Sequence, residues 1–380
     1  MIDPQTIPSV KATLESKAED RVSVASNWQL VWWRFRKNKL AVASAVLLIV
    51  FYIIVLIPEF FATQDPEATE ARLAFIPTQS IHLFDGASFT PWSPAVTGKR
   101  NPVTLRMEWT IDPTKKVFIQ FFVRGYKYKI LNTFQTDIHL LGVADEKSED
   151  KVYLLGTDRL GRDQWSRLMV GTRTSMTVGL LSVALSVILG VLLGGISGYF
   201  GGIPDLIIQR LIEILQSLPT IPIWLAMSAA LPQDWRPEQV FFAITLLLAL
   251  IGWTTLAREV RGRFLSLREE DFVLAADLAG CSQFRIITRH MVPAFMSHII
   301  AASTLAIPVI IILETSLSYL GLGIRPPAIS WGVLLQEAQN IQTIAQAPWL
   351  LTPGVVVIIA VLAFNLVGDG LRDAADPYGH

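Results

Sequence analysis

The residues with chemistry to explain are charges that interrupt apolar runs. Arg210 and Glu213 stand three positions apart in an otherwise apolar segment, about 206–231. That spacing puts both on one helical face, where they can pair. Glu314 lies about 15 residues into a second run. Ionisable groups inside a membrane are functional candidates by default. Arg210 and Glu213 are read as an interfacial pair or as pore residues, and Glu314 as a structural group or a substrate contact. Asp369 and Arg372, at the end of the last run, are expected to cap or pair there. None of these charges suggests catalysis. No Gly-x-x-x-x-Gly-Lys-Ser/Thr loop is present to cradle phosphates. No Ser/His/Asp set or carboxylate pair converges. The single cysteine, Cys281, and five histidines show no metal-ligand spacing.

The elements that must position these groups are membrane helices. The 380-residue chain is 52% hydrophobic and 17% charged, against ~25% charged for ordinary soluble domains. Mean hydropathy is +0.45. Net charge is zero, and nothing points to nucleic acid. Charge-free runs at 40–58, 176–196 and 240–257 are each expected to span ~30 Å of hydrocarbon as helices. Runs at 299–320, if Glu314 is tolerated, and at 350–367 make five. The impure run at 206–231 is counted as a sixth. Pro219 and Pro222 are expected to kink it, as a pivot or as an irregular wall. Lys and Arg crowd residues 34–39 and 258–289, while the short 231–237 and 320–350 connections carry one basic residue each. With six spans, the positive-inside rule puts the N-terminus, the 258–296 loop and the C-terminus in the cytosol. The first apolar run starts too far along to be a cleavable signal, so it is read as an anchor.

Residues 1–39 are read as a cytosolic segment ending in an aromatic and basic helix at the membrane surface. The first span is assigned to 40–61, an external insert and linker to 62–170, and a five-helix core to 171–380. Within the insert, residues 75–150 are expected to form a small β-containing subdomain with runs at 103–111, 117–123 and 126–130. It either caps its own helix ends or helps to receive an external binding protein. Gly190, Gly194, Gly195 and Gly198 permit close helix packing or line a pore.

The polar interruption at 271–293 has a design of its own. A short helical run, Asp271-Phe-Val-Leu-Ala-Ala-Asp-Leu-Ala, ends at Gly280, and a second run leads to Pro293 before the next span. Gly280 can take φ > 0 and turn the chain. Pro293 has no N–H and stiffens entry to the span. Small Ala275 and Ala276 allow close approach to another surface. Glu269 and Glu270 are placed in the helix's first turn, where the dipole favours acids. Such a hairpin can pass a push from a soluble motor into the bilayer.

Four segments together resemble the inner-membrane permeases of ATP-binding-cassette (ABC) importers for dipeptides and oligopeptides. They are Leu155-Gly-Thr-Asp-Arg-Leu-Gly-Arg-Asp-Gln-Trp-Ser-Arg with Gly171-Thr-Arg-Thr-Ser175, the 271–293 loop, Glu314-Thr-Ser-Leu-Ser-Tyr-Leu-Gly-Leu-Gly with Pro326-Pro and Ser330-Trp-Gly, and the tail from Asn365 to Pro377. The long insert resembles that of a subgroup including microcin and oligopeptide permeases. The resemblance implies an all-α, six-span type I permease in a bacterial inner membrane. Its implied partners are a second homologous permease, two cytosolic ATPases carrying ATP and Mg, and a periplasmic solute-binding protein. This chain itself would hold no cofactor or metal and would not be an enzyme. The resemblance makes 271–293 the coupling loop and carries over Ala275, Ala276, Gly280 and Pro293. Leu274 stands where the family has Glu, His290 where it has an aliphatic, and Val292 where it has Leu. Asp277, three residues past Leu274, is read either as a replacement for the missing acidic contact or as a solvated charge. Glu314 falls in a motif leading into the Gly321-Leu-Gly323 turn. Oligosaccharide import by the same machinery is the alternative, with nickel more distant. The rivals of other classes are an ion-coupled secondary transporter, which wants inverted repeats and midplane acids that are not seen, and a non-transporting receptor.

Overall fold

The structure is a computed structural model that describes residues 27–86, 88–103, 107–130, 133–143 and 151–375. Parts of the expectations above fall outside the described residues: segment 1–26, strand residues 104–106 and the tail beyond Ala375.

Among the described residues, five helices are long and apolar enough to cross a membrane. They are α2 (Lys39–Leu56), α3 (Gln164–Phe200), α6 (Pro237–Leu267), α8 (Met296–Tyr319) and the final stretch, whose α-helical part is α10 (Thr352–Ala375). A short helix α1 (Asn27–Phe35) precedes them. At ~1.5 Å per residue the 37-residue α3 runs ~55 Å, well beyond the hydrocarbon layer.

The sixth span differs from expectation. Helices α4 (Gly202–Ser217) and α5 (Thr220–Ala229) meet at 85°, so the segment is broken rather than kinked, in the form of a broken span or a re-entrant loop. The cause is local. Leu218 precedes Pro219 and is forced extended, at φ −90 and ψ 141. Pro222 lies in the first turn of α5, where a missing N–H removes no helical bond.

Helix α3 is the spine. It lies along α6 so closely that a methyl group at Gly194 would sit 2.4 Å from the Ala257 carbonyl oxygen, and one at Gly198 would sit 2.7 Å from that of Arg261. Of the two readings of this glycine row, helix packing is the one observed. At the α3–α4 turn, Asp205 takes both arms of Arg261, at 2.5 and 2.6 Å, and also accepts from Ser197 Oγ. At the other end, Arg173 of α3 grips Glu59 with two bonds, 2.5 and 2.8 Å, and donates to the Val55 carbonyl. The outer faces keep large side chains exposed, among them Val46, Ile49, Ile188, Leu192, Ile358 and Leu362. Such a surface suits lipid or partner helices.

The insert contains a three-stranded antiparallel sheet in the order β1 (Trp92–Arg100), β2 (Met107–Ile130), β3 (Phe134–Val143). The expected runs at 117–123 and 126–130, with residues 107–111 of the run at 103–111, are one strand, β2. Its pairing with β3 shifts register between Arg124 and Tyr128, and Phe122 has φ 56. Strands β1 and β3 were not foreseen. β1 contains Pro94 and Gly98, which read as turn residues. His139 on β3 ties the sheet to the membrane part, with Nδ1 2.8 Å from the Glu59 carbonyl oxygen.

Candidate functional site: a coupling hairpin and a transport cleft

The hairpin forms from local signals. Helix α7 (Asp271–Leu278) ends in a Schellman turn: Cys281 N–H donates to the Ala276 carbonyl at 3.1 Å, and Gly280 N–H donates to that of Asp277 at 2.9 Å. Gly280 sits at φ +76, which only glycine takes without cost. The return limb runs through a helical turn, Gln283–Arg285, into a π-helical segment, Ile286–Met291. This wider register falls just before Pro293, which has no N–H to bond Arg289 in α register. Acids are not arranged as expected. Glu270 is the residue before the helix and its side chain makes no cap, so Asp271 is the first-turn acid.

The hairpin has two faces. Val273, Ala276, Ile286 and Met291 are buried against Leu256, Val260, Phe264 and Leu267 of α6. That core fixes the hairpin to a membrane helix. Phe272, Leu274, Leu278 and Phe284 point outward, with Leu278 89% exposed. Ala275 is on the open side, whereas Ala276 faces the hairpin's own core. Asp277 is exposed beside Leu274, borders a shallow hollow with Tyr199 and Arg268, and makes no ion pair among the described residues.

The remaining candidates separate. Arg210 and Glu213 pair at 2.7 Å on the exposed side of α4. Glu314 is fully buried and accepts from Ser175 Oγ at 3.0 Å and Ser318 Oγ at 2.8 Å. Those two hydroxyls accept in turn from the backbone N–H groups of Trp331 and Ile324. The carboxylate thus joins α3, α8 and the short helix α9 (Trp331–Gln336), so it is a structural node rather than a cleft residue. Arg372 makes no ion pair among the described residues, so of the two roles expected of it, capping or pairing, pairing is not seen.

A cleft of about 740 Å³ lies between α3, α4, α5, α6 and α8, and Arg372 of α10 also lines it. Trp224, Ile251, Leu305 and Leu313 give it apolar walls, and Gln216 and Thr255 polar points. One end carries Glu259 and His298, paired at 3.0 Å.

A buried charge cluster that the sequence did not reveal joins the 155–163 loop, the start of α3 and Glu337. Asp158, fully buried, holds Arg162 Nε at 2.6 Å and lies 3.5 Å from Arg167. Both arginines reach Glu337, at 2.5 and 3.4 Å. Gly156 and Gly161, at φ +68 and +74, let the loop fold back; a methyl at Gly161 would meet the Glu70 carbonyl oxygen at 2.0 Å. Asp163 caps α3, accepting from Ser166 N–H at 2.9 Å and Thr63 Oγ1 at 3.0 Å. Burial pushes its carboxyl above the usual aspartate range, against the pull of those bonds.

Residues 190–378 match the family described as binding-protein-dependent transport system inner membrane components. Residues 26–77 match the N-terminal TM domain of oligopeptide transport permease C. The oligopeptide transport system permease protein OppC of Bacillus subtilis is 36% identical over 262 residues, 69% of this chain and 80% of that protein. The dipeptide transport system permease protein DppC of Lactococcus lactis is 30% identical over 353 residues, 93% of this chain and 91% of that protein. Among solved structures, the inward-facing MetNI methionine ABC transporter aligns with a TM-score of 0.43 and 17% identity, over 55% of this chain and 95% of that one.

The family match and these relatives define a multi-pass membrane permease. The chain belongs to the binding-protein-dependent transport family, the membrane components of ABC importers.

Proposed function

We propose that this chain is the non-catalytic membrane half of a peptide importer, driven through residues 271–293. It pairs with a second, similar permease. Two cytosolic ATPases hold ATP and Mg, and a periplasmic binding protein delivers peptide. The N-terminus, the 258–296 loop and the C-terminus face the cytosol, as the crowding of arginine and lysine there argues. The peptide assignment rests on the names of the relatives, oligopeptide and dipeptide permeases.

The observation that carries the reading is the two-faced hairpin. An exposed apolar face on a small helix asks for a partner. A buried core shared with α6 makes that helix move as one body with the membrane part. ATPase closure would push α7, and α6 would transmit the push to the cleft. The cleft would then open outward, take peptide from the binding protein and release it inward after hydrolysis. Asp277 supplies an acidic contact beside Leu274, to a basic groove on the ATPase.

Uptake into vesicles tests the function. Uptake should require the ATPases and ATP and persist with an uncoupler; collapse with the ion gradient would refute it. For Asp277, transport should fall in Asp277→Ala, and Asp277→Arg should recover with an acidic substitution in the ATPase groove. Full transport by Asp277→Ala would remove that residue from the contact.

A further inference from the structure

We propose that the pocket between α1, α6, α8 and α10 holds the phosphodiester headgroup of an anionic phospholipid. The pocket has a volume of about 580 Å³. Four helices each give it one basic side chain: Arg34, Arg263, His298 and Arg372. Two acids face the group. Asp373 lines the pocket, and Glu259 pairs with His298 at 3.0 Å. Neither Arg263 nor Arg372 makes an ion pair among the described residues. Both guanidinium groups are therefore left with donors suited to bidentate phosphate binding.

The location selects a lipid over a soluble anion. Arg34 lies just before α2 begins, His298 near the start of α8, and Arg372 near the end of α10. The pocket therefore sits at the ends of membrane helices. Trp32 and Trp33 are exposed on α1, and aromatic residues of this kind mark the headgroup level. Val31, Phe295 and Ala301 give the pocket an apolar wall, which a glycerol backbone can cover and a free phosphate cannot use. Basic pockets between membrane helices are a general form of anionic headgroup site. The pocket adjoins the cleft, which His298 and Arg372 also line; only its cytosolic leaflet rests on the orientation argued above.

The test is native mass spectrometry of the full chain released from nanodiscs made of equal parts phosphatidylglycerol and phosphatidylethanolamine. Wild type should keep phosphatidylglycerol in preference to phosphatidylethanolamine. The double variant Arg263→Gln/Arg372→Gln should lose it by about tenfold or more, with Arg210→Gln unchanged as a basic control outside the pocket. If the double variant fails to fold, Arg372→Lys serves, because it keeps the charge but loses the fork and should weaken retention in part. Equal retention of the two lipids by wild type, or equal retention of phosphatidylglycerol by wild type and variants, would overturn the proposal. Displacement of the lipid by millimolar inorganic phosphate would identify a free anion as the ligand and overturn it too.

Discussion

The two faces of the coupling hairpin make opposite demands on substitution, and Leu278 and Val273 separate them. Leu278 is 89% exposed, so nearly all of its side chain is available for burial by a partner. Truncation to alanine removes three carbons, at ~0.8 kcal/mol each, or ~2.4 kcal/mol if docking buries the site fully. At ~1.4 kcal/mol per tenfold, that is ~50-fold in the affinity of the ATPase. The fixed entropic costs of association cancel in this difference. The free chain should not notice the change, because Leu278 contributes nothing to its core. Val273 is 3% exposed inside the cluster with Phe264 and Ile286. Its truncation removes two carbons and leaves a cavity, for roughly 2 kcal/mol of stability. Thermal unfolding of the purified permease and titration of ATPase onto the nanodisc-embedded complex measure the two effects. Leu278→Ala should weaken docking and leave the melting temperature alone. Val273→Ala should lower the melting temperature and change docking by less than about threefold. Docking within threefold of wild type for Leu278→Ala, or a lowered melting temperature, would refute the division into a docking face and an anchoring face.

Other substitutions probe the frame. Gly194→Ala places a methyl 2.4 Å from the Ala257 carbonyl oxygen and should destabilise by ~1–3 kcal/mol, whereas Gly262→Ala meets nothing within 4 Å and should stabilise by ~0.5–1 kcal/mol; thermal unfolding reads both. Glu337→Gln removes the carboxylate from Arg162 and Arg167, the latter almost fully buried, and should cost ~3–5 kcal/mol by the same measurement. Lys151 holds the Glu70 carboxyl below the usual range. This link is present above the ordinary glutamate value of ~4.3 and is lost as pH falls through the lowered value, so protease nicking of the insert should rise there more in wild type than in Lys151→Met. The pair is partly exposed, so the effect should be under ~1 kcal/mol.

What could be read from sequence followed from how locally each feature is encoded. Spans at 40–58 and 350–367 need only an uncharged run, and Gly280 needs only the absence of a side chain at one turn. The bend at Leu218 was half legible. Pro219 and Pro222 announced a break, but its 85° angle depends on how α4 and α5 pack, which no local signal carries. Strand β1 was hidden because its Pro94 and Gly98 argue for a turn until β2 pairs with them. The Asp158–Arg162–Arg167–Glu337 cluster was invisible for another reason. Its members are ordinary charges in separate segments, and Glu337 lies 170 residues from Arg167. Only the fold brings them together. The same holds for the lipid pocket, whose basic residues come from four separate helices. In both cases the signal is a set of charges no single segment explains. Where a chain crosses a membrane, arginines counted only for topology can also be parts of sites, because the rule that keeps them at helix ends gathers them in one plane.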